Sequence, residues 1–338
     1  MIDWDLAVRI GSRLAGEGPS VDRDTATAAV AELRAGANRS TDLVREFTGL
    51  DAPPGTAPIL VVDRPAWIQA NADGFAKLMD PIVEKLASRK GISPDSMGAI
   101  GAKVTGAEVG LMLGFLAGKV LGQFDPMFDP HGRLLLVAPN IVHVERELDA
   151  VPSDFRLWVC LHEETHRVQF TAVPWMRDHL FAQVQELAER MEPASLEESL
   201  KRVTAGLSGK DGGSIVELLT TDEQREVLDR VTGMMSLLEG HADVVMDGVG
   251  PSVIPTVADI RAKFTQRRKG VGALDRLVRR LLGLDAKMAQ YRDGANFVRK
   301  VVDKVGMEDF NAVWSSAETL PSKAEIHDPE AWVLRVHG

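Results

Sequence analysis

Residues 155–166 set the strongest constraint on the fold, because an apolar run there ends in four polar side chains that a folded chain must partner or leave in solvent. Phe155-Arg156-Leu157-Trp158-Val159-Cys160-Leu161 leads directly into His162-Glu163-Glu164-Thr165-His166. Pro152-Ser153-Asp154 supplies a start signal and Pro174 a stop, so the spacing predicts a helix of roughly 20 residues. Its first half is apolar nearly all round, which describes a buried helix. Burying two histidines and two glutamates there is costly unless they are paired or bound to something. On a helix, positions i and i+4 share a face, so His162 and His166 can grip one Zn2+. Glu163 is offset by roughly 100°, which puts its carboxylate beside the metal, where it could take a proton from water. The alternative is a helix leaving the core with its polar end in solvent.

A zinc hydrolase site keeps three protein ligands and leaves a fourth position open. Downstream, the apolar segment Met234 to Met246 is interrupted at Glu239, His241 and Asp243. Glu239 and Asp243 share a helical face, while His241 points about 200° away from Glu239. Glu239 is therefore the natural third ligand. Asp243 is placed to accept a hydrogen bond from the free ring nitrogen of a ligating histidine. His241 is the rival ligand, and otherwise a histidine packed behind the metal helix.

H-E-x-x-H followed by a helix carrying E-x-x-x-D resembles the gluzincin branch of the zincin metallopeptidases. The resemblance implies that His162, His166 and Glu239 bind zinc, that Glu163 is the general base and that Asp243 orients a histidine. The interval from His166 to Glu239 is longer than in compact thermolysin-like members and carries a helical insert. Three further segments occur together in order: Arg64 to Asn71, Leu113 to Pro126, and Leu237 to Asp243. They resemble a group of zincin-like hydrolases common in actinobacteria and often labelled by association with deazaflavin coenzyme biosynthesis. Nothing in the sequence resembles a deazaflavin-binding site.

Composition narrows the function classes. The chain has 338 residues, and 39 basic against 49 acidic side chains give a net charge of −10, which argues against nucleic acid as a partner. The single cysteine, Cys160, forbids an internal disulfide and suits a reducing cytoplasm; it reads as a small buried apolar residue. The N-terminus carries acids early and no apolar signal core, so a cytoplasmic address is expected. The most apolar segment, Val109 to Leu121, is too short to cross a bilayer. Gly110, Gly114, Ala117 and Gly118 within it suggest a tightly packed core helix.

Along the chain, helices are expected over 3–16, 22–48, Arg64 to Arg89, 95–122, 175–206, 214–248, 256–268, 272–282 and 284–305. Breaks are expected at Lys210 to Gly213 and at Asp247 to Pro251. Ile59 to Val62 is a short β-like run, and Arg133 to Asn140 is the best strand. Pro139 fits only an edge or a strand end. By analogy with zincins this is either an edge strand that could pair with an extended peptide substrate or an ordinary buried strand. The reading is one α+β, mainly helical zincin-like domain over residues 1–338. A small sheet accompanies the N-terminal part (1–150), and the metal-binding helices open an extended helical half (151–338).

Arg267, Arg268, Lys269, Arg276, Arg279 and Arg280 form a basic cluster, either a solvated face paired with acids or an anchor for a carboxylate. Tyr291, the only tyrosine, is a candidate oxyanion stabiliser; His143 and His179 are weaker ones. The expected activity is zinc-assisted hydrolysis of a peptide or amide bond. A zinc-bearing scaffold or binding protein, or a small-molecule amidohydrolase of coenzyme metabolism, are the alternatives. The expected partner is a peptide or small amide, with neither nucleic acid nor membrane involved.

Overall fold

The computed structural model describes residues 2–53, 55–89, 99–189, 222–269 and 284–338. Two helices, α1 (Trp4–Ala15) and α2 (Arg23–Thr48), come first. Each begins where an aspartate accepts from an otherwise unpaired amide: Asp3 from Leu6 and Asp22 from Thr25. Strand β1 (Ile59–Val62) and helices α3 (Arg64–Arg89) and α4 (Ala99–Ala117) follow, then β2 (Gly122–Asp125) and β3 (Arg133–Val137). Next come α5 (Ala138–Glu147), α6 (Pro152–Ala172), α7 (Pro174–Glu189), α8 (Asp222–Val253), α9 (Val257–Lys269) and α10 (Leu284–Phe310). Two short 3-10 turns lead to α11 (Lys323–His327) and α12 (Pro329–His337). No described helix is long and apolar enough to cross a membrane.

The three strands run in the order β1-β3-β2, with β3 parallel to β1 and antiparallel to β2. Alternation along β3 feeds two cores. Leu135 and Val137 pack with Trp67, Ile68 and Leu113 of α3 and α4. Leu136 joins the main core, where α6 meets α2, α8 and α10. The expected strand from Arg133 to Asn140 is corrected at its end: it stops at Val137, because Pro139 sits in the first turn of α5, where its missing N–H costs nothing. Of the two expected placements it takes the buried one, central and paired on both sides. The edge position beside α6 belongs to β2, which the sequence does not announce; the helix expected over 95–122 ends at Ala117, before β2 begins.

Glycines set the helix spacing. A Cβ on Gly110 would lie 2.6 Å from the Ala7 carbonyl oxygen, and one on Gly114 would lie 2.8 Å from that of Gly11. One face of α4 is therefore packed tightly on α1, as the glycine spacing suggests. Its other face is open to solvent, with Val104 and Leu111 exposed, so α4 is not a core helix. The expected break at Asp247 to Pro251 is also corrected, since α8 continues through Pro251 to Val253. Gly248 lies against the Phe47 ring and Gly250 against Val257, so these glycines serve close approach rather than chain reversal. The Lys210 to Gly213 break, the 272–282 helix and the end of the 175–206 helix lie outside the described residues.

Helix α6 is buried along its length, as its apolar first half requires. Arg156 is accommodated by two bonds to Glu145, at 2.9 and 2.6 Å, and one to Glu32 at 2.6 Å. The crossing of α8 on α10 is the tightest: a Cβ on Gly294 would lie 1.8 Å from the Ser236 carbonyl oxygen, and one on Gly240 would lie 2.1 Å from Gly294. Gly294→Ala should therefore cost about 3 kcal/mol or more, the upper end for overpacking. Gly101→Ala, in a helix with open space around it, should stabilise by about 0.5–1 kcal/mol. Thermal denaturation of the two variants should move in opposite directions.

Candidate metal centre

Helix α6 carries His162 and His166 one turn apart, with ring centroids 4.8 Å from one another. Helix α8 crosses it and presents Glu239. One Glu239 oxygen lies 3.6 Å from His162 Nε2 and 3.6 Å from His166 Nε2. Among the described residues these three side chains form the one group able to hold a metal ion, their donor atoms all within 4.8 Å. A tetrahedral ion with bonds of about 2.0–2.1 Å separates its ligands by about 3.3–3.4 Å. Two imidazole nitrogens and a carboxylate at 3.6 Å therefore fit zinc in both donor type and spacing.

Gln169, one turn beyond His166, fixes the imidazole. Its side-chain NH2 donates to the Leu238 carbonyl at 3.0 Å and contacts His241 Nδ1 at 2.9 Å. A carbonyl can only accept, so the amide has one satisfied orientation, with Oε1 facing His166 Nδ1 at 3.0 Å. His166 Nδ1 is then the donor to Gln169, and Nε2 is the nitrogen that faces Glu239 and is available to a metal. The same amide ties α6 to the residue preceding Glu239, so it registers a histidine and the carboxylate together.

His241 stands behind this amide, fully buried and stacked on Phe310, with Trp314 at its edge. It lies outside the donor group. Burial, with the nearby charge of His166 adding to it, depresses its pKa to about 3, so it is a neutral acceptor toward Gln169. Asp243 lies on the cleft wall, its carboxylate held by Arg261 at 3.1 Å and Arg299 at 2.8 Å. For His166, the orienting bond expected from Asp243 is made by Gln169 instead.

Burial pushes the Glu163 carboxyl up to about 8; the pull of His166 opposes this, and Glu239 and Glu164 add to it. Burial would lower His166, but Glu239 outweighs it and, with Glu163 and Gln169, raises the imidazole to about 9. The potential at the convergence point thus favours a positive charge, as a cation site requires. Glu163 is packed under β2: a Cβ on Gly122 would lie 2.6 Å from Glu163 Cγ, so only glycine lets the edge strand pass there. Glu164 points away, bonded to Arg167 at 2.8 Å and Thr41 at 3.1 Å, and ties α6 to α2.

His162, Glu163 and Glu239 line a cleft walled by Leu121, Trp158, Met246 and Phe264. The cluster is thus open on one side, as a catalytic site is and a closed structural site is not. Cys160 is buried against the Leu33 carbonyl, and burial pushes its thiol pKa far up, so it behaves as an apolar residue. His143 lies on the surface near Glu147, and His179 packs beside Trp175. Arg267 pairs with Glu147 at 2.9 Å. The side chains of Tyr291, Arg268, Lys269, Arg276, Arg279 and Arg280 lie outside the described residues.

A family model for zincin-like metallopeptidases matches residues 2–333. The chain belongs to that family. A solved structure from Chloroflexus aurantiacus, reported as a candidate hydrolase with a novel fold, is 32% identical with a TM-score of 0.72. The alignment covers 99% of this chain and 98% of that one. No match is found among curated proteins. The family implies a metal, zinc, and hydrolase chemistry, and the His162, His166 and Glu239 group is the candidate site for that metal.

Sequence reasoning missed Gln169, Gly122 and Gly240. A glutamine at i+3 from the second histidine was the available signal for the first. Gln169→Leu should weaken zinc binding by about 10–100-fold while one ion per chain is still reached at saturation. Competitive titration with a zinc chelator reads both quantities.

Proposed function

We propose that this member of the family hydrolyses peptide or amide bonds, with His162, His166 and Glu239 holding Zn2+ and Glu163 as general base. The observation that carries the reading is the placement of Glu163. It is buried, adjoins the donor group, lines the cleft and packs directly against Gly122. A zinc ion held there supplies Lewis acidity toward a carbonyl oxygen and toward water. Glu163 takes the proton of the attacking water and returns it to the departing amine, so one carboxyl acts first as base and then as acid. Gln169 holds His166 in the tautomer that leaves Nε2 free. The unpaired edge of β2 lies beside Glu163 and offers backbone groups to an extended substrate.

The small cleft, about 340 Å³, equally supports a compact amide substrate. The test compares zinc-loaded wild type with Glu163→Gln on a peptide library and on a metabolite extract, read by mass spectrometry. Wild type should cleave at least one substrate, and Glu163→Gln should retain one zinc while losing about 10²–10⁴-fold in rate. Equal rates from the two proteins, or no cleavage by zinc-loaded wild type, would contradict the assignment.

A further inference from the structure

We propose that the cleft accepts a ligand carrying an apolar group and a free monocarboxylate, and that Arg292 holds the carboxylate. This rests on the hydrolase reading only in taking the occupant to be a substrate. Three arginines gather on this side of the molecule. Arg261 bridges Asp243 at 3.1 Å and Asp247 at 2.8 Å, and Arg299 bridges the same pair at 2.8 and 2.5 Å. Arg292, on α10, lines the same cleft and has no hydrogen-bond or ion-pair partner among the described residues. Arg292 is exposed at the cleft, and of the three guanidiniums it is the one left to pair with a ligand anion.

The same cleft is also lined by the apolar side chains of Leu121, Trp158, Met246 and Phe264. At about 340 Å³ the space lies at the lower end of ligand pockets, so the bound part is small, on the scale of one or two residues. A single planar guanidinium matches a carboxylate through two parallel bonds. A dianion such as phosphate is disfavoured, because Asp243, Glu239 and Glu163 border the same space. A cationic side chain would meet Arg292 itself. The carboxylate has two sources, a peptide C-terminus or an acidic side chain, and they place it at different distances from the apolar group.

Isothermal calorimetry on the zinc-loaded full chain tests this without requiring turnover. The probes are N-acetylphenylalanine, its carboxamide, and N-acetylphenylalanyl-aspartic acid α-amide. Wild type should bind at least one acid probe about 10–100-fold more tightly than the carboxamide, as expected for a charge-assisted pair. Preference for the first acid identifies a terminal carboxylate, and preference for the third an acidic side chain. Arg292→Gln should abolish the preference without changing carboxamide affinity, and Arg292→Lys should restore part of it. The proposal is overturned if no probe binds, if wild type shows no preference, or if the preference survives Arg292→Gln. Survival in that variant with loss on zinc removal would place the carboxylate on the metal instead. Arg292-dependent binding without cleavage of the matching N-acyl dipeptides would leave this site standing and overturn the hydrolase reading.

Discussion

The carboxamide of Gln169 is the contact on which the geometry of the metal centre depends. It is buried, so leaving either end unpaired costs about 1–3 kcal/mol. Its donors are committed to Leu238 and His241, and only its oxygen remains for His166. One amide therefore selects the His166 tautomer, sets its ring and fixes how far α8 has advanced along α6 when Glu239 arrives. The neutral His241 behind it completes the chain, and its aromatic cage keeps it neutral by excluding water.

Packing supplies the second condition. Glu239 reaches the histidines because α8 is pressed onto α10 at the adjacent Gly240, against Gly294, where no side chain fits. Glu163 follows His162 on α6, and Gly122 lets the edge strand lie directly over it. Polar contacts do related structural work around the sheet. Arg64 bonds Asn140 and the Ala15 carbonyl, Asn71 accepts from Gln123, and Asp125 pairs with Arg133. The last two tie β2 to α3 and to β3, and so hold the strand next to Glu163.

Part of this was legible in the sequence for a definite reason. A four-residue spacing on a helix is a geometric statement, so His162 and His166 on one face followed without tertiary information, whereas the choice of Glu239 over His241 needed the crossing of α8 on α6. Buried α6 followed from its apolar circumference. The strand order did not, because β2 is four residues long and follows a glycine-rich helix without any period-2 signal of its own. Pro139 was read as a strand end when it opens α5, since the same missing N–H suits either place. Gly248, Gly250 and Pro251 were read as a break because sequence alone does not tell a glycine that turns the chain from one that admits a neighbour. Gly122 acts only through a residue distant in sequence. Gln169 has one local contact, to His166 three residues back, while its partners Leu238 and His241 lie far along the chain.

The central claim is that His162, His166 and Glu239 share one cation and leave one side of it to the cleft. The most direct measurement is an anomalous-difference map at the zinc edge from crystals of the zinc-loaded protein. The account predicts a single strong peak within about 2.0–2.2 Å of His162 Nε2, His166 Nε2 and a Glu239 oxygen, with Gln169 still bonded to His166 Nδ1. A peak coordinated by His241 in place of Glu239, or no peak between the two helices, would contradict it.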